Sequence, residues 1–143
     1  MKEKHLNMYM KIAETVAAAS YAKKLKVGAV AVKDNRILSI GYNGTPPGMS
    51  NVCEREVTNE DCTPALETVK EVIHAEMNAI YKMARDGQSA QGSTLFITHS
   101  PCFECAKAIL SVGVSSVFYK NEYRNMDGVH FLRSNNIKVE QYA

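Results

Sequence analysis

Two short motifs limit what this chain can fold into: His74-Ala75-Glu76 and Pro101-Cys102-Phe103-Glu104-Cys105. Each stands at the expected start of a helix. Two cysteines separated by two residues at a helix start can both face one point, where the positive helix end favours the thiolate that ligates a metal. A histidine opening the other helix can supply a third ligand. Three protein ligands leave the fourth tetrahedral position to water, the mark of a catalytic zinc and not of a closed structural one. Zinc lowers the pKa of such a water towards neutrality. Glu76, two residues after His74, is not needed as a ligand and is placed to move protons between that water and a substrate. A structural zinc module would instead need a fourth protein ligand, for which Cys53, Cys62 and His99 are the candidates. Such a site would have no use for Glu76.

The rest of the chain fits a globular enzyme. Its 143 residues fit one domain, 1–143, since a single core serves roughly 100–200 residues. Folding at this length buries about two thirds of the unfolded chain's surface, so metal is not required merely to fold. The net charge of +2 and the absence of tryptophan give no footprint for binding nucleic acid. Neither a signal peptide nor an apolar run of about 20 residues is present, which makes a cytoplasmic protein the expectation, with no membrane partner. Four cysteines in a reducing compartment read as ligands or free thiols before disulfides.

Apolar periodicity predicts a helix over 6–22, then strands over 27–32 and 36–42 joined by a turn at Asp34-Asn35. Residues 43–68, with Gly44, Pro46, Pro47, Gly48 and Pro64, read as a long loop. Further helices are expected over 73–85, 102–112 and 126–134, and strands over 94–98, 116–119 and 137–140. Strand–helix–strand units from Leu95 onward favour right-handed parallel crossovers. The expected architecture is a three-layer α/β/α sandwich around a mixed five-stranded sheet. Lys23, Lys24 and Lys26 would sit at the negative end of the first helix.

H-x-E followed by P-C-x-x-C is the known signature of zinc deaminases acting on nucleobases. With Lys26-Val27-Gly28-Ala29-Val30, Gly41-Tyr42-Asn43-Gly44-Thr45-Pro46-Pro47-Gly48 and His74-Ala75-Glu76-Met77-Asn78-Ala79-Ile80, the chain resembles the cytidine and deoxycytidylate deaminase superfamily over about residues 9–139. Within it the glycine-rich segment is most similar to deoxycytidylate deaminases, and Asn121-Glu122-Tyr123-Arg124 to the shorter phage-type members. The resemblance implies a cytidine deaminase-like fold and one catalytic Zn2+ on His74, Cys102 and Cys105. The reaction it implies is hydrolysis of a cyclic amidine C–N bond, converting dCMP to dUMP and ammonia, with Glu76 as acid/base.

It also implies roles around the substrate. Asn43 would bond the sugar hydroxyl, the Ala75 amide the pyrimidine carbonyl, and the Ser100 carbonyl the exocyclic amine. Tyr123 would stack beside base or sugar. The phosphate needs a cation, for which Arg124 is the first candidate, because guanidinium matches phosphate oxygens bidentately, and Lys26 the second. Members of the family are often hexamers, activated by dCTP and inhibited by dTTP with Mg2+. That effector site would lie near Gly41, Tyr42, Asn43, Gly44 and Gly48. Some phage members hold a second zinc on cysteines near the first helix. Ala19-Ser20-Tyr21-Ala22 carries none, so Cys53 and Cys62 are expected to be free thiols. Two other readings stay open: deamination of a base within a nucleic acid, and a catalytically silent zinc-binding or effector-sensing module.

Overall fold

The computed structural model describes residues 1–143. Helix α1 (Glu3–Ala17) is followed by strands β1 (Gly28–Lys33) and β2 (Arg36–Tyr42). Asp34 and Asn35 between them adopt φ of 50° and 58°, the left-handed pair that a two-residue hairpin turn of native twist requires. Strands β3 (Glu54–Thr58) and β4 (Pro64–Thr68) come next, and after them α2 (Ala75–Arg85), β5 (Thr94–His99), α3 (Phe103–Ser111), β6 (Ser116–Asn121), α4 (Asp127–Ser134) and β7 (Lys138–Gln141).

The main sheet has five strands in the order β2-β1-β5-β6-β7. β1 runs antiparallel to both β2 and β5, whereas β5, β6 and β7 are parallel, with α3 and α4 as their crossovers. The sheet is therefore mixed, as expected, and helices cover both faces. Alternation along the strands sends Val30, Val32, Phe96 and Phe118 to one face, where Tyr9, Met10, Ala13 and Val16 of α1 meet them. Ala29, Ala31, Leu95, Ile97, Val117 and Tyr119 point the other way, into a larger core with Ala79 and Met83 of α2, Ile109 of α3 and Leu132 of α4.

Two expectations are corrected. α1 stops at Ala17 and begins at Glu3, so Lys23, Lys24 and Lys26 lie beyond the helix in an irregular segment and do not serve its negative end. The expected loop over 43–68 contains the β3–β4 hairpin, a separate two-stranded sheet paired from Glu54↔Thr68 to Thr58↔Pro64. Glu54-Arg55-Glu56-Val57-Thr58 is mostly exposed and shows no apolar face, and Pro64 is tolerated because β4 has only one partner strand. No helix is long and apolar enough to cross a membrane.

Candidate active site

Local structure places the ligands. His74 is the N-cap of α2 in extended conformation, and Cys102 is the N-cap of α3. The Cys102 Sγ accepts the Cys105 N–H at 3.5 Å, which turns both sulfurs towards one point at the helix start. Gly44 and Ile73 exchange backbone hydrogen bonds of 3.1 and 2.8 Å, pinning the chain one residue before His74.

The ligand atoms of His74, Cys102 and Cys105 lie within 4.8 Å of one another. His74 Nδ1 is 3.2 Å from Cys105 Sγ and 3.5 Å from Cys102 Sγ. Zn–S of ~2.3 Å and Zn–N of ~2.0 Å at a tetrahedral angle imply an N···S separation of ~3.5 Å, so the cluster fits zinc. None of the three candidate fourth ligands joins the group. Cys53 is buried, Cys62 is exposed in the hairpin turn, and none of the four cysteines is in a disulfide.

Electrostatics divide the two thiols. Hydrogen bonds with Cys105 and then His74 pull the Cys102 thiol down to about 4, so it is a thiolate at neutral pH. The same pairing, with burial, pushes the Cys105 thiol well above its usual range. The bond to Cys102 raises His74. Glu76 is buried at 4% exposure in the first turn of α2. Desolvation pushes its carboxyl up to about 7, against the backbone N–H that favours the ionised form. A carboxyl poised near neutrality can both accept and return a proton.

His74, Glu76 and Cys102 open onto a cavity of about 420 Å³. Of the candidate site residues singled out in the sequence, Asn43, Cys53, His74, Ala75, Glu76, Ser100, Cys102 and Tyr123 line it. His99 lines it too, 6.1 Å from Tyr123 in an edge-on arrangement. Arg124 and Lys26 are exposed and outside the lining; the lysine that lines the cavity is Lys24.

Asn43 does structural work at the rim. Its Oδ1 accepts the Val27 N–H at 2.9 Å and its Nδ2 donates to the Leu25 carbonyl at 2.8 Å. One lone pair and one N–H remain for a ligand. Within the glycine-rich segment, Gly41 lies directly under α2, where a β-carbon would strike the Ala75 carbonyl and the Ala79 N–H. The Tyr42 carbonyl accepts from Asn78 at 2.7 Å. Gly48 has φ of 88° and open space around it. Ser100 uses its hydroxyl to accept the Tyr123 N–H at 2.7 Å, so it also holds the Tyr123 loop at the cavity edge.

Sequence reasoning missed Lys24 and Glu54. The signal for Lys24 was present as a basic group but was assigned to a helix end that lies elsewhere. Glu54 had no local signal, because its partners are Lys23 and Lys24 in a distant segment.

Residues 3–121 match the model of the cytidine and deoxycytidylate deaminase zinc-binding region. The chain is similar to the crystal structure of dCMP deaminase from the cyanophage S-TIM5 in complex with dCMP and dUMP, with a TM-score of 0.88, 45% identity and 99% of each chain covered. It is 33% identical to ComE operon protein 2 of Bacillus subtilis over 81% of this chain and 36% identical to deoxycytidylate deaminase of Saccharomyces cerevisiae over 94%. It spans 59% and 44% of the lengths of these two relatives.

Proposed function

Because the chain belongs to the cytidine and deoxycytidylate deaminase family, we propose that it hydrolyses dCMP to dUMP and ammonia. The observation that carries this reading is the convergence of His74, Cys102 and Cys105 with a buried Glu76 at one end of a cavity of about 420 Å³. Pockets of roughly 300–1,000 Å³ accommodate ligands of nucleotide size. The likeness to the cyanophage enzyme supports dCMP over other amino-bearing bases.

A zinc ion held by His74, Cys102 and Cys105 would act as a Lewis acid, lowering the pKa of a bound water and drawing Glu76 towards its ionised form. Glu76 takes one proton from the attacking water and passes it to the ring nitrogen; it then takes the proton of the hydroxyl so added to the ring carbon and delivers it to the departing amine, which leaves as ammonia. The Ala75 N–H and the Ser100 carbonyl hold the pyrimidine edge, because a buried polar edge left unpaired costs about 1–3 kcal/mol. Asn43 offers its remaining hydrogen-bonding capacity to the sugar, and Tyr123 flanks it.

For the phosphate we assign Lys24, on the ground that it lines the cavity. Arg124, next in the chain to Tyr123, is second, and Lys26 third. Regulation by dCTP and by dTTP with Mg2+, and a hexameric assembly, belong to the same reading. The Gly44–Ile73 pairing supports regulation physically, since a nucleotide bound along 41–48 would be coupled to His74 through two hydrogen bonds. Free thiols suit the reducing cytoplasm.

The test is ammonia release from dCMP, deoxycytidine, cytosine and single-stranded DNA, with and without dCTP. dCMP should be the preferred substrate, and Lys24→Ala should depress its use far more than that of deoxycytidine. Preference for single-stranded DNA, or no release from any substrate by zinc-loaded protein, would overturn the reading.

A further inference from the structure

Glu54 opens β3, in the hairpin outside the main sheet, yet it is buried at 8% exposure and lines the active-site cavity. Its Oε2 accepts two backbone N–H groups, from Lys23 at 2.8 Å and Lys24 at 3.0 Å. Carboxylate acceptors make stronger, shorter bonds than neutral ones, and two donors on one oxygen fix the peptide planes that carry them. No other acceptor takes either N–H.

The surrounding ties isolate this contact. Ser20 holds the Ala22 N–H at 3.1 Å, and Asn43 holds the Leu25 carbonyl and the Val27 N–H. Between these anchor points the backbone at Lys23 and Lys24 depends on Glu54. The base of the hairpin is fixed in turn by the Val69 N–H on the Cys53 carbonyl at 2.9 Å, next to Glu54. Thus a carboxylate from the hairpin sets the position of the backbone that presents Lys24 to the cavity.

We propose that Glu54 is a positioning residue that acts through Lys24, making the hairpin a determinant of monophosphate selectivity. The proposal rests on the assignment of Lys24 to the phosphate. It is separated from that assignment by a double-mutant cycle on zinc-loaded protein, with steady-state kinetics on dCMP and deoxycytidine.

Glu54→Ala should raise KM for dCMP roughly tenfold, with much smaller changes in kcat and in KM for deoxycytidine. In a Lys24→Ala background the same change should add little, because the two residues act as one unit. Glu54→Gln keeps a carbonyl acceptor for both N–H groups and should recover most of the wild-type KM. If Glu54→Ala does not fold, Glu54→Asp, which keeps the charge but shortens the reach, carries the same cycle. Multiplicative effects of the two substitutions, or equal losses on dCMP and deoxycytidine, would overturn the proposal while leaving the Lys24 assignment standing. An unchanged dCMP-to-deoxycytidine preference in Lys24→Ala would remove that assignment and this inference with it.

Discussion

Gly128 of α4 packs its bare Cα against the Pro101 carbonyl, so closely that no β-carbon fits between them. The Cys102 carbonyl is its next neighbour, which places α4 directly on the turn that carries a zinc ligand. Gly128→Ala should therefore push the Pro101–Cys102 turn away from α4. Overpacking of this kind costs about 1–3 kcal/mol. Chemical denaturation should show a loss in that range, and metal analysis should find less than one zinc per chain after dialysis. A variant with full zinc and an unchanged midpoint would show that the turn yields freely.

Glu76 is buried two residues from a ligand but outside the ligand group. Glu76→Gln preserves shape and hydrogen-bonding capacity while removing the proton relay. kcat should drop by about 10²–10⁴-fold, the usual contribution of a positioned acid/base, with zinc content retained. Activity within a factor of a few of wild type would assign the proton transfers to another group.

Metal removal should abolish activity and spare the fold. Both core clusters form from side chains on the two faces of the sheet, and neither requires a metal to hold it together. Dialysis against a chelator should leave far-ultraviolet circular dichroism and a cooperative thermal transition in place, and added zinc should restore turnover. Loss of the cooperative transition on chelation would show that the two helix starts need the ion to dock.

His99 gives a pH signature. Burial holds its pKa below the usual 6.5, so the fold favours the neutral ring. As pH falls through about 6.5, the unfolded chain takes up a proton that the folded chain resists, and stability declines. Thermal midpoints between about pH 7 and 5 should fall less steeply in His99→Gln than in wild type. Parallel slopes would mean that the ring gains a proton equally well in both states.

The legible parts of this molecule were those encoded at short range. The β-branched run after Lys26, the Asp34-Asn35 turn, and the spacing of Cys102 and Cys105 each depend on neighbours a few residues away, and each appears close to where it was expected. β3 and β4 escaped because Arg55, Glu56, Glu67 and Thr68 leave them no buried face, so the alternation that reveals a strand was missing. The side-chain ties of Asn43 to Leu25 and Val27, and of Glu54 to Lys23 and Lys24, join segments far apart in the chain. No periodicity encodes such pairs. The expected end of α1 at residue 22 lies five residues beyond Ala17, which is why a place for Lys24 on the cavity lining was not legible.

The β3–β4 hairpin shares no ladder with the five-stranded sheet. Its length, turn and charge can therefore drift without shifting the register that aligns His74 with Cys102 and Cys105. In the reading proposed above, one determinant of phosphate recognition thus sits on a unit that carries none of the metal-ligating or proton-moving residues. A lineage carrying this scaffold could vary that one determinant by editing the hairpin, while the bond-breaking machinery stays in place.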